Sequence, residues 1–231
     1  NAARIHKHFI GNHNERRALA LKNAAGGNTR ARGISLAGHH GNVVESVARI
    51  TVLLVFHAVI TLDENRRFFC EMGLSETEII PVKADANDLP FEKGFFDAVI
   101  CTDSYNFFGL DPDFLDQKLL PFVREGGYIY ATCPGMKKDC HDNLPPELLL
   151  SWTPEQMDYL HDVDYWRSIV SHSRDAEIIE VSEMESNDEV WADWLKQDKK
   201  YAVSDRKSME AGAGKYLNFV KIVLRKKSAQ R

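Results

Sequence analysis

Polar side chains that could do chemistry follow two apolar segments of the chain. Segment 78–85, EIIPVKAD, is typical of a strand ending on Asp85, with Ala86 and then the apolar Leu89 just after it. At a strand end, a carboxylate can accept a hydrogen bond from an exocyclic amine, and the next backbone amide can donate to a ring nitrogen. An apolar neighbour can cover the face of a base. These residues predict part of a nucleotide site, and a loop acid beside a proline turn is the alternative.

A second polar group follows segment 95–102, FFDAVICT, the next strand-like run. Thr102 and Asp103 stand at its end, where a ligand's amino group could be bound, and we assign both to a cofactor site. Tyr105 offers an aromatic face to a cation, and Asn106 follows it in the same loop. We predict these last two as the catalytic residues.

Asp63 lies 22 positions after Gly41. A nucleotide-binding α/β domain places an acid about 20 residues after its glycine turn, because a carboxylate there binds the ribose hydroxyls. A helix-capping acid is the alternative, and Glu64 replaces Asp63 if the register slips by one. The turn itself has only two glycines, Gly38 and Gly41, that would let the backbone approach the ligand. We predict both as cofactor-binding residues, and a plain turn is the alternative.

The positioning elements alternate between strands and helices. Strands are predicted at 33–38, 52–63, 78–85, 95–102, 128–134, 176–185 and 217–227, and helices at 42–50, 64–74, 111–127 and 153–173. This order predicts a doubly wound, mostly parallel seven-stranded α/β sheet with a terminal antiparallel strand. A helical insertion at about 186–216 separates the last two strands. Residues 33–231 form the predicted domain, and the status of 1–32 stays open.

Charge divides the chain unevenly. Residues 1–60 hold eight basic and two acidic residues, a net of +6, whereas the remainder holds 21 basic and 32 acidic residues, a net of -11. A basic arm, an ordinary but skewed half of the domain, and a stretch read in an altered frame all remain open for these sixty residues. The net charge of -5 gives no overall basic face for nucleic acid.

Several classes of protein fit the composition poorly. Four cysteines without a C-x-x-C pair predict reduced thiols, and no metal site is expected, although Cys133, Cys140 and His141 could share an ion. The longest apolar run, 50–60, is too short to span a bilayer. We see no secretory leader and expect a cytoplasmic protein.

Two long segments and the closing strand pair resemble the class I S-adenosylmethionine-dependent methyltransferases. The segments are 82–109 (VKADANDLPFEKGFFDAVICTDSYNFFG) and 119–135 (LLPFVREGGYIYATCPG). The nearest likeness is the small-molecule branch similar to ubiquinone and menaquinone methyltransferases. The resemblance covers roughly residues 63–227.

The resemblance implies a role for each matching residue. Asp85 would contact the adenine amino group and Ala86 the ring through its backbone. Asp63 would bind the ribose, while Thr102 and Asp103 would lie near the methionine part of the cofactor. Two departures stand out: Ser35 occupies the place of the acid that usually follows the first strand, in a segment where relatives have G-x-G-x-G. Relatives also often have His where this chain has Asn106.

The expected activity is methyl transfer from S-adenosylmethionine to a small-molecule acceptor. Alignment of the acceptor with the methyl group would supply most of the rate, and no general base is identified. The alternatives are a related binding protein that has lost its cofactor, or a nicotinamide-dependent oxidoreductase. A homodimer is expected, with no nucleic acid or membrane partner.

Overall fold

The computed structural model describes residues 66–67, 70–73 and 84–229 of the chain. Two compact units are present, residues 10–85 and the remainder. In the first unit, Gly73 has φ 74° and its N–H donates to the Cys70 carbonyl at 2.9 Å. This is the left-handed helix end predicted for the segment 64–74.

Four strands form one sheet in the second unit. They are β1 (Phe96–Thr102), β2 (Val123–Met136), β3 (Ala176–Glu183) and β4 (Leu217–Lys226). The order across the sheet is β1-β2-β4-β3; β1 is parallel to β2, and β4 is antiparallel to both of its neighbours. The predicted terminal antiparallel strand is thereby confirmed. The predicted strands at 33–38 and 52–63 lie outside the described residues, as does most of 78–85.

Strand β2 is longer than predicted at both ends. The predicted strand ended at Pro134, but β2 continues to Met136, with Pro134 opposite Phe219 of β4. The pairing with β1 has already ended at Thr132, so the missing N–H of Pro134 removes no bond to that neighbour. Proline is tolerated here because β1 does not pair with this stretch of β2.

The helix predicted over 111–127 ends early. A π-helical turn at Leu115–Leu119 and a 3-10 turn at Leu120–Phe122 lead directly into β2. Pro121 has no N–H to donate, and the backbone becomes extended at Val123, the first residue of β2. The glycine pair 126–127 lies instead in a bulge of β2, where the register with β1 shifts and Gly126 has φ 70°.

The helix predicted over 153–173 is two helices, α1 (Pro154–Met157) and α2 (Val163–Ser171). The predicted start is confirmed: Thr153 caps α1 in a capping box with Gln156, and Pro154 is its first residue. Asp162 begins a new helix, since its carboxylate accepts from the Tyr165 amide at 2.9 Å. A second capping residue therefore divides the predicted helix.

The predicted helical insertion is confirmed between β3 and β4. It contains α3 (Asn187–Leu195), α4 (Lys200–Glu210) and a 3-10 turn at Ala213–Lys215. The two helices are joined by a buried bond from the Trp194 indole to Asp205 at 2.8 Å. Burial raises the Asp205 pKa to about 6, although its bonds to the indoles of Trp194 and Trp152 oppose that shift.

A hydrophobic cluster connects this insertion to the sheet. Its fully buried members come from the end of β2, the 3-10 turn before α1, the end of α1, the insertion and the start of β4: Met136, Leu148, Met157, Ala213 and Leu217. Trp152 and Trp191 pack against it. The insertion is thus anchored at the end of the sheet where β2 finishes. No helix among the described residues has the length and apolar character to cross a bilayer.

Replacing Asp162 with alanine should destabilise the protein by about 1–2 kcal/mol, because a lost N-cap costs about that much. The carboxylate also accepts from the Asp139 amide at 3.0 Å, so two backbone donors lose their partner. Asp164→Ala, an exposed change in the same first turn, is the matched control. Urea unfolding of both variants measures the difference, and equal losses would contradict this role for Asp162.

Candidate active site

The candidate site lies at the edge of the sheet where β1 and β2 end. Because β4 is antiparallel to β2, its first residues lie at the same edge, with Asn218 opposite Gly135. Ligands of open α/β sheets bind beyond the carboxyl ends of the parallel strands. The predicted residues from Thr102 to Asn106 lie here, directly after β1.

Asp103 turns the chain away from the sheet. Its N–H donates the last bond of the β1–β2 pairing, to the Thr132 carbonyl at 2.8 Å, and its φ is 52°. Aspartate tolerates this left-handed conformation better than most residues. The side chain is only 4% exposed, and its Oδ2 has no hydrogen-bond partner among the described residues.

Burial raises the pKa of Asp103 to about 8. The carboxyl group is therefore mostly protonated at neutral pH and can donate a hydrogen bond. An ionised form would require a positive partner, and a ligand ammonium group is one that could supply it. The geometry thus suits a polar ligand group at the end of β1.

Two buried amide side chains lie at the same edge. Asn106 and Asn218 are each 1% exposed, and neither amide group has a partner among the described residues. Unpaired buried amides are costly, and native proteins contain few of them. The Asn106 backbone N–H donates to the buried Cys133 thiol and opposes the rise in the thiol pKa that burial causes. The side chain of Asn106 is left to bind a ligand.

Tyr105 lies in an aromatic cluster. It is 1% exposed, and its ring packs against Phe108, Phe114 and Trp166 with centroids 5.5, 6.3 and 5.7 Å away. A Cβ on Gly109 would overlap the same ring. The tyrosine therefore supports the loop that carries Asn106, and its predicted contact with a cation stays a prediction.

The remaining predicted residues are distributed as follows. Ala86 and Leu89 are buried, and Thr102 is half-buried opposite Thr132. Asp85 is exposed and belongs to the other compact unit. Gly38, Gly41 and Asp63 lie outside the described residues.

A cluster of two histidines and one acid at this edge was not foreseen. Asp139 and His141 follow β2, and His161 lies between α1 and α2; their ligand-type atoms are all within 4.8 Å of one another. Sequence analysis had singled out His141, but with Cys133 and Cys140 as its neighbours. The spacing of 20 residues between the histidines gives no local motif, so only the fold brings them together.

The two histidines have opposite pKa shifts. Burial works against the His141 cation, but hydrogen bonds to the Met157 carbonyl and Asp139 outweigh it and raise the pKa. Burial, together with the charge of His141, lowers the pKa of His161. The His141 N–H groups in turn lower the pKa of Asp139. The His141 ring therefore takes up a proton more readily than the His161 ring.

A cleft of about 470 Å³ lies at the opposite end of the sheet, around Pro121, Arg124 and Lys226. The Lys226 ammonium there donates to the Leu120 and Val123 carbonyls, both at 2.8 Å. Its donors are thus used to hold the chain before β2. We place the site at the other edge, where buried polar atoms lack partners.

Comparison with known proteins identifies the fold. Residues 40–131 match the family described as "Methyltransferase domain". This match includes Gly41, Asp63 and every other predicted site residue except Gly38. No curated protein matches the chain significantly.

Solved structures of low sequence identity share the α/β fold. A protein assigned as a sarcosine dimethylglycine methyltransferase from Galdieria sulphuraria is 16% identical, with a TM-score of 0.56 over 76% of this chain and 69% of the other. The [4+2]-cyclase SpnF is 17% identical (TM-score 0.54; 80% and 68% covered). A geranyl diphosphate methyltransferase in complex with SAM is 16% identical (TM-score 0.55; 75% and 68% covered). The predicted Rossmann-like α/β class is confirmed, and the four described strands leave the count of seven a prediction.

Changing Asp103 to asparagine should alter how stability depends on pH. The folded-state pKa of about 8 exceeds the ordinary value of 3.8, so the folded protein binds this proton more tightly than the unfolded chain. Wild-type stability is therefore favoured below pH 4 and falls as pH rises towards 8, by up to about 1.4 kcal/mol per unit. The variant lacks this contribution.

Urea unfolding at pH 5, 6 and 7 measures the free energy of unfolding. Relative to the wild type, this free energy should rise for the asparagine variant at each step in pH. Asparagine also tolerates the left-handed backbone, so strain is not introduced. Asp113→Asn, at an exposed position nearby, is the control and should follow the wild type. Parallel pH profiles for Asp103→Asn and the wild type would show that the carboxyl group is not held protonated by burial.

Proposed function

We propose that the protein is an S-adenosylmethionine-dependent methyltransferase that acts on a small-molecule acceptor. The observation that carries the proposal is a pair of buried polar side chains directly after β1: the Asp103 Oδ2 atom and the Asn106 amide group have no hydrogen-bond partner among the described residues. Both lie inside the segment that matches the methyltransferase family. Ligand-binding polar groups are expected at this edge of such a sheet.

The residues present fit the polar end of this cofactor. Bound S-adenosylmethionine supplies an electrophilic methyl group on a sulfonium. We assign Asp103 to the amino-acid portion: when protonated it can donate a hydrogen bond, and beside an ammonium group it can ionise and accept one. Thr102, half-buried in the last pair of β1, orients the turn.

The chain's contribution to the reaction is positioning. Asn106 has two amide donors and a carbonyl acceptor free of other described partners, so it can orient a polar acceptor. The packing of Tyr105 under the loop limits the motion of Asn106, and holding an acceptor in line is the main source of rate in a displacement. We assign no general base.

The finer expectations stay predictions. These are the ubiquinone-like branch, the contacts of Asp85 with adenine and of Asp63 with ribose, the homodimer and the cytoplasmic location. The geranyl diphosphate and sarcosine enzymes show that this fold accommodates methyltransferases named for small molecules, and the cyclase shows that the fold alone does not determine the reaction.

Calorimetric titration with S-adenosylmethionine tests the proposal. We expect saturable binding by the wild type, and Asp85→Ala should weaken it about tenfold or more, because a lost hydrogen bond to a charged group costs about 1.5–3 kcal/mol. Asp88→Ala, another exposed acid of the same turn, should bind like the wild type. Absence of binding at millimolar cofactor would exclude the proposed function.

Turnover separates an enzyme from a binding protein. The wild type, supplied with a panel of small amines, carboxylates and phenols, should release S-adenosylhomocysteine, and Asn106→Ala should lower kcat at least tenfold while cofactor affinity is kept. Binding without turnover on any acceptor would favour the catalytically impaired alternative. A nicotinamide-dependent reaction would instead be seen as a change in cofactor absorbance.

A further inference from the structure

The three side chains of Asp139, His141 and His161, here called the His–Asp cluster, are held by a rigid frame. Asp139 and His141 follow directly from β2, and the backbone of His161 forms a bridge with Gly135 of the same strand. A Cβ at Gly135 would overlap the His161 carbonyl, so only glycine allows this approach. One strand therefore fixes both histidines.

Asp162 ties the two parts of the cluster together. One of its carboxylate oxygens accepts from the Asp139 amide at 3.0 Å, and the other caps α2 through the Tyr165 amide at 2.9 Å. The His161 ring stacks on Tyr165 with centroids 3.5 Å apart. Asp162 and Tyr165 thus help to hold Asp139 and His161 in position.

Each histidine has a ring nitrogen among the clustered ligand-type atoms. The Nε2 atom of His141 is 3.0 Å from the Met157 carbonyl, which fixes the ring and leaves Nδ1 facing Asp139 at 3.1 Å. The Nδ1 atom of His161 is buried and has no hydrogen-bond partner among the described residues. Metal-binding histidines usually carry such a second bond from the opposite ring nitrogen to a carbonyl.

The donor atoms have the spacing of metal ligands. Two ligands about 2.0–2.1 Å from a tetrahedral zinc ion lie about 3.3 Å apart, close to the 3.1 Å between His141 and Asp139. All three donors lie within 4.8 Å of one another, so one ion between them is within reach of each. Two imidazoles and a carboxylate are ligands that zinc-class ions accept.

We propose that Asp139, His141 and His161 bind a divalent transition metal ion of the zinc class, with three protein ligands and an open position. The Cys140 thiol is not among the ligands, because it is directed at the Met136 sulfur, 3.4 Å away. The Asp139 side chain is 52% exposed, so the open position faces solvent at the carboxyl edge of the sheet. A three-ligand site of this kind can bind an oxygen of a small molecule directly. The site differs from the sequence expectation that no metal is bound.

Titration of the chelator-treated full chain with Co²⁺, read by visible absorption, tests the proposal. We expect one ion bound with the bands of a four- or five-coordinate nitrogen–oxygen site and without a thiolate charge-transfer band. His161→Ala and Asp139→Asn should each weaken this binding at least tenfold. The exposed Asp139 position makes the second variant safe for folding, and circular dichroism confirms both folds.

The control must account for the other histidines of the chain. Six of the nine lie in residues 1–60, so total stoichiometry alone does not identify the site. His172→Ala, a histidine on the exposed end of α2, should bind like the wild type. Binding unchanged in both His161→Ala and Asp139→Asn would overturn the proposal, and so would absence of any absorption from bound Co²⁺. A thiolate band lost in Cys140→Ser would assign the ion to a different ligand set.

Discussion

The site depends on the fact that β1 ends before β2 does. The pairing of these strands stops at Thr102 and Thr132, whereas β2 continues through Met136 alongside β4. The last part of β2 therefore has a free edge on one side. On this side the His161 backbone forms a bridge with Gly135, where a longer β1 would have paired with β2. Pro134 and Gly135 suit this stretch, one because it needs no donor and the other because it has no side chain.

The same early end of β1 places polar side chains in the interior. Asp103 leaves the sheet in a left-handed turn, and Asn106 follows within four residues, both buried. Asn218 of β4 lies opposite Gly135 and is equally buried. Groups of this kind reduce stability unless something binds them, and their concentration at one edge is typical of functional sites. The opposite edge has no comparable set of buried polar groups without partners among the described residues. The Lys226 ammonium there donates to two backbone carbonyls.

Local patterns predicted the regular elements well and their ends less well. The apolar runs of β1, β3 and β4, the capping of α1 and the helical insertion could be predicted because each depends on neighbouring residues. The division at Asp162, the early strand at Val123 and the passage of β2 through Pro134 depended on contacts with distant segments. Asp162 shows the difficulty clearly: an aspartate within an amphipathic run reads as a surface acid, and its capping role is evident only when the helix actually starts there.

The candidate site was predictable in part for the same reason. Asp103 and Asn106 follow an obvious strand, so the rule for strand ends located them. His161 and Asn218 come from different segments, and their meeting at Gly135 follows from the order and direction of the strands rather than from spacing. Tyr105 was assigned to the correct loop, but its surroundings are aromatic because Phe114 and Trp166 pack on it from elsewhere in the fold.

The insertion between β3 and β4 begins and ends at the edge of the sheet where the candidate site lies. Strand β3 finishes at Glu183 opposite Val220, and β4 begins at Leu217 opposite Met136. Residues 184–216 therefore leave and rejoin the sheet at this edge, and changes in their length leave every strand register intact. The segment is therefore a part of this unit that can be exchanged while the end of β1 and Gly135 of β2 are left in place.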